Sequence, residues 1–138
     1  MTVKHEFVRR FEEAWKEPHT KFVELFHPEG TLRQSGMEQP IGRDAIPSHQ
    51  ALTLTLLPDM AVTARRWAAN GDDVFIEWDA GGTFQGKHVE WSGASRFTLR
   101  GGLIMEEIAY FDSVPLRAAA DPTLGRGVLT TAALEQGR

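Results

Sequence analysis

Two adjacent glutamates in the stretch MEEIAYFD, residues 105–112, interrupt a run that otherwise has the composition of a strand. Successive strand side chains point to opposite faces, so one of the pair is directed into the protein and the other away from it. Ile104, Glu106, Ile108 and Tyr110 form one set; Met105, Glu107, Ala109 and Phe111 form the other. Each set carries apolar residues and one acid, so alternation leaves the choice open. A carboxyl group among apolar neighbours is costly to ionise, and either its pKa rises or it keeps a partner. A raised pKa near working pH is what a general acid or base needs.

Other chemistries find less support. The chain has no cysteine, which removes disulfides, thiolate nucleophiles and cysteine–zinc sites. Its five histidines show no spacing of three or four on one helix and no carboxylate at ligand spacing, so no metal is expected. No glycine-rich phosphate loop follows a strand, there is no G-x-S-x-G elbow, and no cofactor is expected. With 138 residues, 41% hydrophobic and 25% charged, the chain fits one globular domain with a real core. A net charge of −4 without any Lys or Arg run gives no electrostatic footprint for nucleic acid or an anionic membrane. No apolar run approaches the ~20 residues of a membrane span, and the start MTVKHEFVRRFEE lacks a signal-peptide core, so a cytoplasmic location is expected.

The elements that must position the acids change period partway along. Phe7, Val8, Phe11, Ala14 and Trp15 recur at spacings of three and four, which predicts an amphipathic helix over 4–17 that Pro18 helps to stop. A short helix over 20–26 closes on the turn HPEG, and TLRQ follows as a possible edge strand. A third helix, capped by Asp44 with Pro47 in its first turn, places Ile46, His49, Leu52, Thr53 and Leu56 on one face before Pro58. Four runs rich in β-branched and aromatic residues then alternate with the turns NGDD, QGK and RGG, a four-strand meander. Helices first and an antiparallel sheet afterwards predict an α+β fold. VPLRAAA reads as a short helix with Asp112 as its cap. Residues 1–120 are expected to form a single domain, and 121–138 a tail or an arm onto a partner subunit.

This order, with GRDAI at 42–46, GLI at 102–104 and AYFD at 109–112, resembles the SnoaL-like branch of the NTF2-like superfamily, over about Phe7 to Ala118. That superfamily includes polyketide cyclases, ketosteroid isomerases and limonene epoxide hydrolases. The resemblance implies a cone-shaped α+β barrel, with a deep pocket between the concave sheet face and the first helices. It also implies homodimers formed through the outer face of the sheet. Its register sends the set containing Ala109 inward, which makes Glu107 the buried acid and brings Val74, Ile76, Trp78, Ala80, Trp91, Gly93, Ser95, Phe97 and Leu99 into the cone. Glu77, Asp79 and Arg96 then fall outside, in ion pairs or a subunit contact. The Arg and two Asp residues of limonene epoxide hydrolases fall on Trp78, Ala80 and Ala109, none of which can do that chemistry, and an Asn of their pocket falls near Gln34.

The site expected from this resemblance has Glu107 as acid/base, with His49 and Gln34 orienting the substrate or sharing the proton. Trp15, Trp78, Trp91, Ser95, Phe97 and Phe111 would contact a hydrophobic, ring-bearing small molecule. The reaction class is isomerisation, cyclisation or dehydration. Plainer readings stand beside it: Glu107 held structurally by Ser95 or a helix end, His49 as a core histidine, the tryptophans as packing. A ligand-binding module without turnover, or a dimerisation domain with the cone filled by its own aromatics, are the alternative functions.

Overall fold

The structure, a computed structural model, describes residues 5–121 and 123; the tail or arm expected over 121–138 otherwise lies outside the described residues. The first helix, α1 (Glu6–Ala14), starts where the His5 imidazole accepts the Phe7 backbone N–H at 3.0 Å. Its buried face is Phe7, Val8, Phe11 and Ala14, the stripe set by their spacing. Helix α2 (Pro18–Lys21) begins on the proline and runs through a 3-10 turn at Val23–Leu25.

HPEG does not close a helix in a turn. It lies within strand β1 (Phe26–Gln34), which runs parallel to β6 (Leu103–Phe111) with a register break between Phe26 and Thr31. A bulge of this kind tolerates Pro28, whose missing N–H would disrupt a regular ladder. Gly30 is needed at the same place, because a β-carbon there would run into the Ile104 carbonyl oxygen. Nor is β1 an edge, since the two-residue β2 (Ile41–Gly42) covers its other side.

Helix α3 (Ile46–Leu56) follows a 3-10 turn at Arg43–Ala45, with Pro47 in its first turn as expected. Asp44 does not cap it: the N-cap is Ala45 and no side chain bonds there. The face turned inward keeps Ile46, His49, Thr53 and Leu56 of the expected set, which are buried or border the internal hollow, but adds Gln50 and drops Leu52. Ile46 and Gln50 are buried, as is Leu57 just beyond the helix, while Leu52 is 63% and Leu56 52% exposed. At 100° per residue, positions 46, 50, 53 and 57 lie within about 60° of arc and 52 does not. Leu52 was misplaced and Gln50 overlooked because a glutamine, not an apolar residue, occupies the centre of the inward row.

Strands β3 (Ala61–Asn70), β4 (Asp73–Phe84), β5 (Lys87–Arg100) and β6 form the expected antiparallel meander. The curved sheet of six strands has the order β2-β1-β6-β5-β4-β3, is mostly antiparallel, and does not close on itself. Helix α4 (Val114–Ala120) ends the described fold; its N-cap is Ser113, whose side chain makes no bond there, and the expected cap Asp112 stands one residue earlier, its carboxylate accepting the Val114 N–H at 3.0 Å. The core lies between α1 and the concave face, where the Phe7 and Phe97 ring centroids are 4.8 Å apart and Phe11 and Phe97 5.7 Å. On the convex face Arg65 pairs with Glu77 and Asp79, and Arg96 with Glu106 at 2.5 Å.

At the middle of β5, Gly93 sits opposite Trp78 and Phe111. A β-carbon there would strike the Tyr110 carbonyl oxygen, come within 2.6 Å of Phe111 Cβ and within 2.9 Å of the Trp78 ring. Gly93→Ala is accordingly expected to lower stability by about 1–3 kcal/mol through overpacking, read from urea unfolding.

Candidate functional site

The question of the two glutamates is decided by a bulge. Thr98 pairs with Glu106 and Leu99 with Ile104, so Met105 is an extra residue in β6. The alternation is reset across it, and Ile104 and Glu107, three residues apart, are both buried. Glu106 faces the convex side, held by Arg96. Glu107 is 5% exposed and stands between Phe97 of β5 and Leu32 of β1.

Its surroundings keep it neutral. Burial pushes the Glu107 carboxyl up to about 8, against a smaller opposing effect from a hydrogen bond to Ser95. The Ser95 hydroxyl is itself fixed, because its oxygen accepts the Trp78 indole N–H at 3.0 Å and its proton is left for the carboxyl. The other carboxyl oxygen, Oε1, is buried with no hydrogen-bond partner. The expected direct partnership with His49 or Gln34 is therefore not formed, and Ser95 takes that place.

Glu107 opens onto a cavity of about 410 Å³ between the concave face of the sheet and the helices. Of the nine expected site residues, eight border it: Glu107, His49, Gln34, Trp15, Trp78, Trp91, Ser95 and Phe111. Phe97 does not. It is fully buried beneath the cavity, where the rings of Phe7 and Phe11 pack against it, so its role is core rather than ligand contact. His49 is half-buried on α3, and burial lowers its pKa, which favours the neutral imidazole. A hollow this large excludes the expectation of a cone filled by its own aromatics.

The sequence reading missed several walls. Gln50 comes from the inward row of α3, Met60 from the residue before β3 and Val62 from its start, and Leu116 and Ala120 from α4. The four-residue spacing from Ile46 to Gln50 was a signal for the first. The matching spacing from Leu116 to Ala120 was a signal for the last. Among the described residues, no group of three or more His, Asp or Glu side chains could hold a metal ion, and no helix is long and apolar enough to cross a membrane.

The linkage of this burial to stability has a definite sign. Below about 4.5 Glu107 is protonated in the folded and unfolded chain alike; between there and about 8 only the unfolded chain releases the proton. Stability is therefore expected to fall as pH rises through that window, by up to about 1.4 kcal/mol per pH unit, and to level off above it. Urea unfolding of the wild type and Glu107→Gln should show a difference that grows with this slope; a difference independent of pH would show that Glu107 is not shifted.

Against known proteins, a family model described as a SnoaL-like domain matches residues 8–107. No curated protein matches the chain. Among solved structures, a hypothetical protein with a ketosteroid isomerase-like fold from Catenulispora acidiphila DSM 44928, in complex with trimethylamine, is 24% identical with a TM-score of 0.76, covering 84% of this chain and 92% of that one. A candidate SnoaL-like polyketide cyclase from Jannaschia sp. CCS1 is 17% identical with a TM-score of 0.72, covering 86% and 96%. A limonene epoxide hydrolase-like enzyme from M. tuberculosis is 18% identical with a TM-score of 0.66, covering 84% and 93%. At these identities the three likenesses establish the fold.

Proposed function

The chain belongs to the SnoaL-like domain family, and from that premise we propose that it is an enzyme performing acid/base proton transfer on a hydrophobic, ring-bearing small molecule. The observation that carries the reading is Glu107: a neutral acid in an aromatic-walled cavity, with one carboxyl oxygen free of protein partners. In this reading its carboxylate form removes a proton from a carbon next to a carbonyl, whose oxygen takes up the electron pair as an enolate. The resulting neutral acid returns the proton to another carbon, completing an isomerisation, or to a departing hydroxyl released as water, completing a dehydration. If the enolate carbon attacks a second carbonyl before the proton returns, the step is a cyclisation. Desolvation that holds the pKa near neutrality lets one group work in both directions. His49, neutral and on the same cavity wall system, and Gln34 would orient the substrate or share the proton. No cofactor enters this scheme. We also propose a cytoplasmic homodimer that associates through the convex face of the sheet.

A second reading, a hydrophobic-ligand-binding module without turnover, draws on Trp78, Ala80 and Ala109. These occupy the positions where the resemblance to limonene epoxide hydrolases would require Arg and two Asp residues, which leaves epoxide opening by that mechanism without its groups.

Exchange of the α-protons of 2-tetralone in D₂O, followed by NMR, separates the two. The wild type should accelerate exchange with a rate that rises through an inflection near pH 8, and Glu107→Gln should lose at least about 10²-fold while binding the ketone within a few-fold. Exchange equally fast in the glutamine variant would remove Glu107 from the reaction. Binding without any acceleration by the wild type would favour the module.

A further inference from the structure

Four buried side-chain atoms among the described residues have no hydrogen-bond partner: Arg10 Nε, Trp15 Nε1, Gln50 Nε2 and Glu107 Oε1. Arg10 lies away from the cavity, with its guanidinium over the Phe7 ring and donating to the Gly102 carbonyl. The other three all belong to residues that border the same cavity. Such atoms are rare in folded chains because each has given up water for nothing in return. Three around one hollow form a pattern of unmet polarity whose complement is the polar part of a ligand.

The pattern has a definite chemistry. Gln50 Nε2 and Trp15 Nε1 are N–H donors from the helices α3 and the end of α1, whereas Glu107 comes from the sheet. Gln50 is 6% exposed, on the inward row of α3 where an apolar residue would be the ordinary occupant. None of the described residues bordering the cavity is a lysine or arginine, and burial favours the neutral form of His49, so no fixed positive charge among them offsets a carboxylate or phosphate. A buried anion without a counter-charge would be strongly disfavoured.

We propose that Gln50 Nε2 donates a hydrogen bond to a carbonyl oxygen of a neutral ring-bearing ligand, with Trp15 Nε1 as a second donor, and that Gln50 sets the preference for oxygenated over plain rings. This rests on the reading that the cavity takes a hydrophobic ring. It adds which atom of the ligand is recognised, by which residue, and which charge state is refused. In the proton-transfer scheme the same donor faces the oxygen that becomes negative, so Gln50 positions the carbonyl and favours the enolate.

The test compares 2-tetralone with tetralin, the same bicycle without the oxygen, and with tetralin-2-carboxylate, by NMR titration of the full chain. The wild type should prefer the ketone to the hydrocarbon by about five- to tenfold, the worth of one neutral hydrogen bond, and should bind the carboxylate at least about tenfold more weakly than the ketone. Gln50→Leu should erase most of the ketone preference with tetralin affinity unchanged within about twofold, and the Gln50→Leu/Trp15→Phe pair should bind ketone and hydrocarbon alike. Because Gln50→Leu replaces an unpartnered polar group by an apolar one of similar size, its melting temperature should equal or exceed that of the wild type. An undiminished ketone preference in Gln50→Leu, an equal preference in the wild type, or a variant that loses stability would each overturn the assignment of Gln50 while leaving the ring-binding reading intact. Failure of the wild type to bind any of the three would overturn both.

Discussion

A carboxyl group inside an apolar hollow, with one hydroxyl for company and no lysine or arginine among the described residues that border it, constrains the rest of this protein. Moving a carboxylate out of water costs several kcal/mol even after relaxation, so the neutral acid is the resting form of Glu107 there. That condition dictates its supports. The bulge at Met105 turns Glu107 inward, Trp78 fixes the Ser95 hydroxyl, and Gly93 clears the space in which the Trp78 ring lies. All three supports sit on paired strands rather than on loops, which holds the acid in one orientation relative to the hollow.

The neighbouring glutamate shows what the same side chain does under the opposite condition. Glu106 lies on the convex face, bonded by Arg96, within a surface that also pairs Arg65 with Glu77 and Asp79. Exposed pairs of this kind contribute little to stability. They do keep the convex face charged, with two arginines shared among four carboxylates. One residue of phase in β6 therefore separates an ordinary surface ion pair from a group able to exchange protons near neutral pH.

Much of this was legible in the sequence. Turn residues and β-branched runs marked the meander, the spacing from Phe7 to Ala14 marked α1, and the family resemblance supplied the phase that Ile104 through Phe111 could not. The bulge explains why: with Met105 extra, Ile104 and Glu107 share a face although they are three apart, so no strict alternation describes the strand. Local signals failed where tertiary pairing overrode them. Pro28 and Gly30 read as a turn but serve a bulge against β6, and Asp44 read as a cap but lies within a 3-10 turn. Gln50 was overlooked for the same reason that Leu52 was chosen, because hydrophobicity usually marks the inward row and here a polar residue holds it. Phe97 was placed correctly on the inner face, yet α1 covers it, and strand phase alone cannot say how deep in a cone a residue lies.

The central claim is that Glu107 is protonated at rest because it is buried among apolar side chains, with no lysine or arginine bordering its cavity among the described residues. Carbon-13 NMR of the glutamate side-chain carboxyls, titrated with pH, measures this directly. The account predicts one resonance, lost in Glu107→Gln, with a midpoint near 8; a midpoint for Glu107 within the ordinary glutamate range, near 4.3, would contradict it.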